Sequence, residues 1–161
     1  MFMQHHEEPY ERSETESERL DRNWGEILQE LRVTQTGTQI LTGFLLTLAF
    51  QPRFAELDAF QVGVYLTLLS AAVITTTLAL APVSMHRALF RQRAKHQIVR
   101  TSNAVLKITL VMVALILTGT MLLIFDVVLG HTQGIIAAAV TLILTAVAWL
   151  VLPLATRPDR D

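Results

Sequence analysis

Four polar side chains recur at helical spacing inside an otherwise apolar stretch, RVTQTGTQILTGFLLTLAF, residues 32–50. Gln35, Thr38, Gln39 and Thr42 fall at i, i+3, i+4 and i+7, so a helix places all four on one face. Amides and hydroxyls in such a setting have two uses. They bond to a neighbouring helix, each bond contributing somewhat under ~1 kcal/mol, or they line a hydrated path for an ion or small solute. A second candidate is Asp126, set in LLIFDVVLG and isolated among apolar residues. An acid inside a membrane span needs a named partner. Arg53 is the cation expected on the same side, which gives an Asp126–Arg53 ion pair; the alternative is a proton- or cation-binding carboxylate with His131 close by. A third group is basic: Arg87, Arg91, Arg93, Lys95 and Arg100 cluster in VSMHRALFRQRAKHQIVRTSNAVLK, where they suit anionic lipid headgroups or an acidic partner.

The elements that must position these groups are membrane spans. The chain has 161 residues, 52% of them hydrophobic, gathered into blocks rather than scattered. Its 13 basic and 14 acidic residues leave four windows free of charge, from Gly37 to Pro52, Phe60 to Met85, Ile108 to Phe125 and Val127 to Ala155. A hydrocarbon core about 30 Å thick is crossed by roughly 20 helical residues, and all four windows fit once the first borrows polar residues on its left. Spans are expected near 33–51, 60–82, 107–129 and 133–154, separated by a short 51–59 connection, a basic loop over 83–106 and a tight hairpin at Gly130-His131-Thr132. The expected fold is an all-α, integral membrane four-helix bundle with an N-terminal cytoplasmic amphipathic helix and a basic cytoplasmic loop helix.

Orientation follows from the cations. The segment between the second and third spans holds six Lys and Arg and no carboxylate, whereas the connection after the first span has Arg53 alone and the one after the third has none. The positive-inside rule therefore puts the basic loop and both termini in the cytoplasm. Phe50, Phe54, Phe60 and Phe125 gather at the outer boundary and Trp149 lies near the inner one. Residues 1–31 lack the apolar core of a signal peptide, so insertion is expected to be directed by the first span.

The cytoplasmic side carries opposite charges. Glu7 to Glu30 contains nine carboxylates against three arginines. Residues 1–13 read as a disordered acidic tail, and the pair His5-His6 within it reads as tail rather than metal site. Over 14–32, Leu20, Trp24, Leu28 and Leu31 follow at helical spacing and predict an amphipathic helix continuous with the first span. It either folds against the basic loop or stays solvated while that loop lies on anionic lipid. Residues 155–161 form a short cytoplasmic tail.

Several functions find no support. Cysteine is absent, which rules out disulfides and thiolate metal sites. No metalloprotease, serine-hydrolase or phosphate-loop motif occurs, and the basic segment lacks the accompaniments of nucleic-acid recognition. Neither an enzymatic activity nor a cofactor is expected, and no metal. The reading is a non-enzymatic scaffold or modulator of a membrane complex, with a homo-oligomer or a larger complex as its setting; the alternative is a small oligomeric channel or cation/proton transporter.

The blocks ELRVTQTGTQILTGFLLTLAFQPRF, APVSMHRALFR and FDVVLG resemble a family of small four-span membrane proteins of actinobacteria and related bacteria, some of whose members are called sodium:proton antiporters. The resemblance runs from Glu18 to Pro153 and implies four spans and a bacterial inner (plasma) membrane location. The residues themselves differ from those of large cation/proton antiporters, which are built from many spans, internal repeats and midplane sites on broken helices.

Overall fold

The first helix starts where the sequence offers a cap. Thr15 Oγ1 accepts the Glu18 N–H, and the Glu18 carboxylate accepts the Thr15 N–H at 2.8 Å, a reciprocal box that satisfies two donors at the helix start. From there α1 (Glu16–Leu48) runs without interruption for 33 residues, about 50 Å at 1.5 Å per residue. The expected amphipathic helix and the expected first span are thus one rod. The computed structural model describes residues 15–89 and 95–155, and every regular element among them is helical. The acidic tail, Phe90, Arg91, Arg93 and the tail arginines 157 and 160 lie outside the described residues.

A 3₁₀ turn (Pro52–Glu56) opened by Pro52 connects α1 to α2 (Ala59–Leu89). α3 covers Lys95–Leu129, and α4 (His131–Ala146) continues through a π-helical turn (Val147–Val151) into α5 (Leu152–Ala155). Pro153 lacks the N–H that the Trp149 carbonyl would receive in an α-helix, and the wider π turn sits directly before it.

The helix expected in the basic loop over 83–106 is, among the described residues, the continuation of α2 and α3. α2 extends to Leu89 and α3 begins at Lys95, with Pro82 buried inside α2. Charge marks where a chain leaves the apolar layer, not where its helix stops, and no glycine lies between Val83 and Lys107 to end one.

Three stretches among the described residues are long and apolar enough to cross a membrane: Ala59–Met85, Val99–Leu129 and His131–Ala155. α1 falls short because its glutamines and threonines dilute its apolar half. Packing nevertheless ties α1 to the other helices. It lies against α2 and α3, which lie against each other, while α4 rests chiefly on α3. Leu45 of α1, Tyr65, Leu68 and Ala72 of α2, and Ile116 and Leu123 of α3 form one buried cluster. The Tyr65 hydroxyl donates to the Leu45 carbonyl at 3.0 Å. Gly119 lets α2 and α3 close up: a Cβ there would meet Leu68 Cδ2 at 2.5 Å. The core is therefore a three-helix one, with α4 laid along α3.

Candidate functional site

At the α3–α4 hairpin the backbone must reverse within one residue. Gly130 does this with φ 103°, a left-handed conformation that side chains disfavour, and its N–H donates to the Asp126 carbonyl at 2.9 Å. Four residues on, Gly134 is buried; a Cβ there would stand 2.9 Å from both the Leu122 carbonyl oxygen and the Asp126 Cβ. The hairpin thus presses the first turn of α4 onto the last turn of α3, and Asp126 is left 6% exposed.

Both oxygens of that carboxylate are taken. Gln61 Nε2 donates to Oδ1 at 2.7 Å, and His131 Nδ1 lies 2.7 Å from Oδ2, donating when it carries the proton. Gln61 is itself held in place. Its N–H donates to Asp58 Oδ1 at 2.8 Å and its Oε1 accepts the Asp58 N–H at 3.1 Å, which caps α2 and points the amide nitrogen at Asp126. The His131 ring packs edge-on against Phe60, centroids 5.0 Å apart. One carboxylate thereby joins α2, α3 and α4. These groups border an open hollow of about 520 Å³ lined also by Asp58 and Gly130. The arrangement can clamp three helices, and it can accept a proton or meet a cation from the hollow. Among the described residues no group of three or more His, Asp or Glu is placed to hold a metal ion.

Arg53 is not a partner of Asp126. It sits on the 3₁₀ turn, exposed, and lines a different hollow between α1 and α3. Pairing the lone acid with the nearest cation overlooked a neutral donor. Gln61 was legible as half of a cap, because Asp58-Ala-Phe-Gln61 has the spacing of an N-terminal box; its bond to a residue 65 positions away left no local trace.

The polar stripe of α1 divides. Thr38 is buried at 1% exposure, Gln35 and Thr42 are half-buried, and Gln39 is exposed. The sheltered side repeats every seventh residue, at Leu31, Thr38 and Leu45, with Trp24 half-buried one step earlier. Gln39 stands about 100° around the helix from Thr38 and clears that seam. The Thr38 hydroxyl donates to the Thr34 carbonyl and Thr42 to the Thr38 carbonyl, each at 2.7 Å. Thr75, Thr109 and Thr120, also buried, bond back to Ala71, Val105 and Ile116 in the same way. The O–H donors of these five threonines are spent on their own helices, while Ser102 Oγ and Thr118 Oγ1 are buried without a partner among the described residues. Of the basic group, Arg87 and Arg100 are exposed near the ends of α2 and α3 that face away from the hairpin, Lys95 opens α3, and Arg91 and Arg93 lie outside the described residues.

A family model described as "Family of unknown function (DUF6328)" matches residues 13–153, and the chain belongs to that family. No curated protein and no solved structure matches it.

Proposed function

We infer that this DUF6328 chain is a non-enzymatic, polytopic membrane protein that scaffolds or modulates a larger membrane assembly, anchored by four spans with both termini on the cytoplasmic side of a bacterial inner membrane. One observation carries the reading. Leu45 of α1 shares a buried cluster with Leu68, Ala72 and Ile116, which belong to the apolar stretches of α2 and α3, so α1 sits at their depth despite its polarity. At that depth its outward side presents Thr36, Gln39, Gly43 and Thr47, all exposed, and a Cβ at Gly43 would meet nothing within 4 Å. An amide facing acyl chains lacks the bonds that water would supply. A neighbouring helix, from a second copy or a partner subunit, restores them.

Association measured in bilayers tests this directly. Fluorescence transfer between labelled copies, or between the chain and co-purified subunits, is expected to fall on Gln39→Leu with the fold intact. Unchanged association would overturn the assignment of this face.

The second reading, a small channel or cation/proton transporter, draws its support from Asp126 and His131 beside the outer hollow. Its test is flux of Na⁺, K⁺ or H⁺ through liposomes, with Asp126→Asn removing it.

A further inference from the structure

The second hollow at the outer end differs in character from the one beside Asp126. It encloses about 370 Å³, within the range of small-molecule sites of about 300–1,000 Å³. Its walls are the end of α1, the outer part of α3 and the connection between α1 and α2, and they are apolar apart from Gln51 and Arg53. The walls are well braced. Phe54 folds back from the 3₁₀ turn and meets Tyr65 edge-on at 4.9 Å, and Tyr65 is fixed by its bond to the Leu45 carbonyl. Phe44 on α1 and Val128 on α3 line it while themselves exposed, so the hollow opens sideways between those two helices. Arg53, on the turn that bounds its outer end, has no hydrogen-bond or ion-pair partner among the described residues.

We propose that this hollow takes one acyl chain of an anionic phospholipid from the surrounding bilayer, with Arg53 and Gln51 meeting the headgroup. The proposal rests on the placement of α1 as a span, which puts the sideways mouth at acyl-chain depth and Arg53 at headgroup level. An arginine fork suits a phosphate ester, and the apolar walls suit a hydrocarbon tail. A neutral headgroup would leave the guanidinium without a counter-charge. A chain without a headgroup would leave Gln51 and Arg53 unused.

Native mass spectrometry of the full chain, with phosphatidylglycerol and phosphatidylcholine of equal chain length supplied together, reads the site. One retained lipid is expected, with phosphatidylglycerol favoured about fivefold, as one cation near an anionic headgroup supplies. Arg53→Gln abolishes the preference while retaining a lipid, and Val128→Trp, which fills the mouth from an exposed position, abolishes retention of both. Equal retention of the two lipids by the native chain overturns the role of Arg53. Retention that survives Val128→Trp overturns the hollow as the seat of the chain, as does a second copy of the protein, rather than lipid, being lost with that variant. The span reading is checked separately with Gly43→Cys in vesicles. Protection of that thiol from a water-soluble maleimide together with absence of bound lipid sinks the lipid site alone; modification of the thiol sinks the placement of α1.

Discussion

In α4 the large apolar residues Ile135, Ile136, Ile143 and Leu144 are all at least half exposed, and Gly134 is the buried residue of its first turns. In α1, which carries Gln35, Gln39 and five threonines, Leu31, Thr38 and Leu45 are shut away at 2% exposure or less. The more polar helix is the better sheltered one. In water the order would be reversed, because burial there follows apolarity. In a bilayer apolar surface has no reason to hide, and it is polar groups and close backbone contacts that select the seams. α1 then reads as the helix that must be packed to be tolerated, and α4 as one that leaves its large apolar side chains outside and lies along α3 on Gly134 and the half-buried small residues Ala138, Thr141 and Thr145.

That contrast can be broken where α4 approaches α3 most closely. Gly134→Val forces a methyl-bearing carbon against the Leu122 carbonyl and Asp126, and overpacking of this kind costs about 1–3 kcal/mol or more where backbone is the obstacle. Reversible unfolding in mixed micelles should show the loss, with the α3–α4 seam opening first. A comparable loss is expected from Leu45→Ala in the three-helix core, about 2–4 kcal/mol, whereas Leu144→Ala on the exposed side of α4 should stay within about 0.5 kcal/mol. Equal effects at the two leucines would erase the difference between the helices.

The clamp on Asp126 gives a smaller change. Gln61→Leu removes the donor to Asp126 Oδ1 and the acceptor for the Asp58 N–H together. A loss of about 1–3 kcal/mol follows from leaving a buried acceptor unsatisfied. Replacement of Arg53 should leave this stability untouched, since it bears on the other hollow.

The smallest effect lies at the N-terminal start of α1. The Thr15 side chain and backbone bonds hold the Glu18 carboxyl below its ordinary value, against a slight opposing effect of burial. A depressed carboxyl stabilises the folded form fully above its unfolded value, and the contribution is lost as pH falls through the lower, folded one. Hydrogen exchange over residues 16–24 should therefore quicken on acidification below the ordinary glutamate range, and Thr15→Ala, which keeps the backbone bond but removes the side-chain one, should weaken that dependence. The membrane-level core should not respond.

Much of this arrangement is legible in the sequence. Charge-free windows located α2, α3 and α4 because a span tolerates few charges over roughly 20 residues. The Leu20–Trp24–Leu28–Leu31 spacing foretold a helix feeding into the first apolar stretch, and α1 passes through both without a break. Two features resisted. A helix was expected in the basic loop, but its continuity with α2 and α3 was hidden because hydropathy reports the medium around a helix and not the helix itself. His131 was expected close to Asp126 and lies against it, but Gln61 was hidden because charge suggests charge, whereas the cap of α2 aims a neutral amide at the carboxylate. Of the polar stripe, spacing gave one face, but a seam narrower than that face keeps Thr38 and releases Gln39.

The most direct test uses the absence of native cysteine. Spin labels placed singly at positions 38, 40 and 45 of α1 and 136 and 143 of α4, in lipid vesicles, report collisions with dissolved oxygen and with a water-soluble nickel complex. Low oxygen contact at 38 and 45, high contact at 40, 136 and 143, and exclusion of nickel from all five is the expected pattern. Oxygen contact at 38 and 45 as high as at 40, or free access of nickel to the α1 positions, would contradict a sheltered polar span.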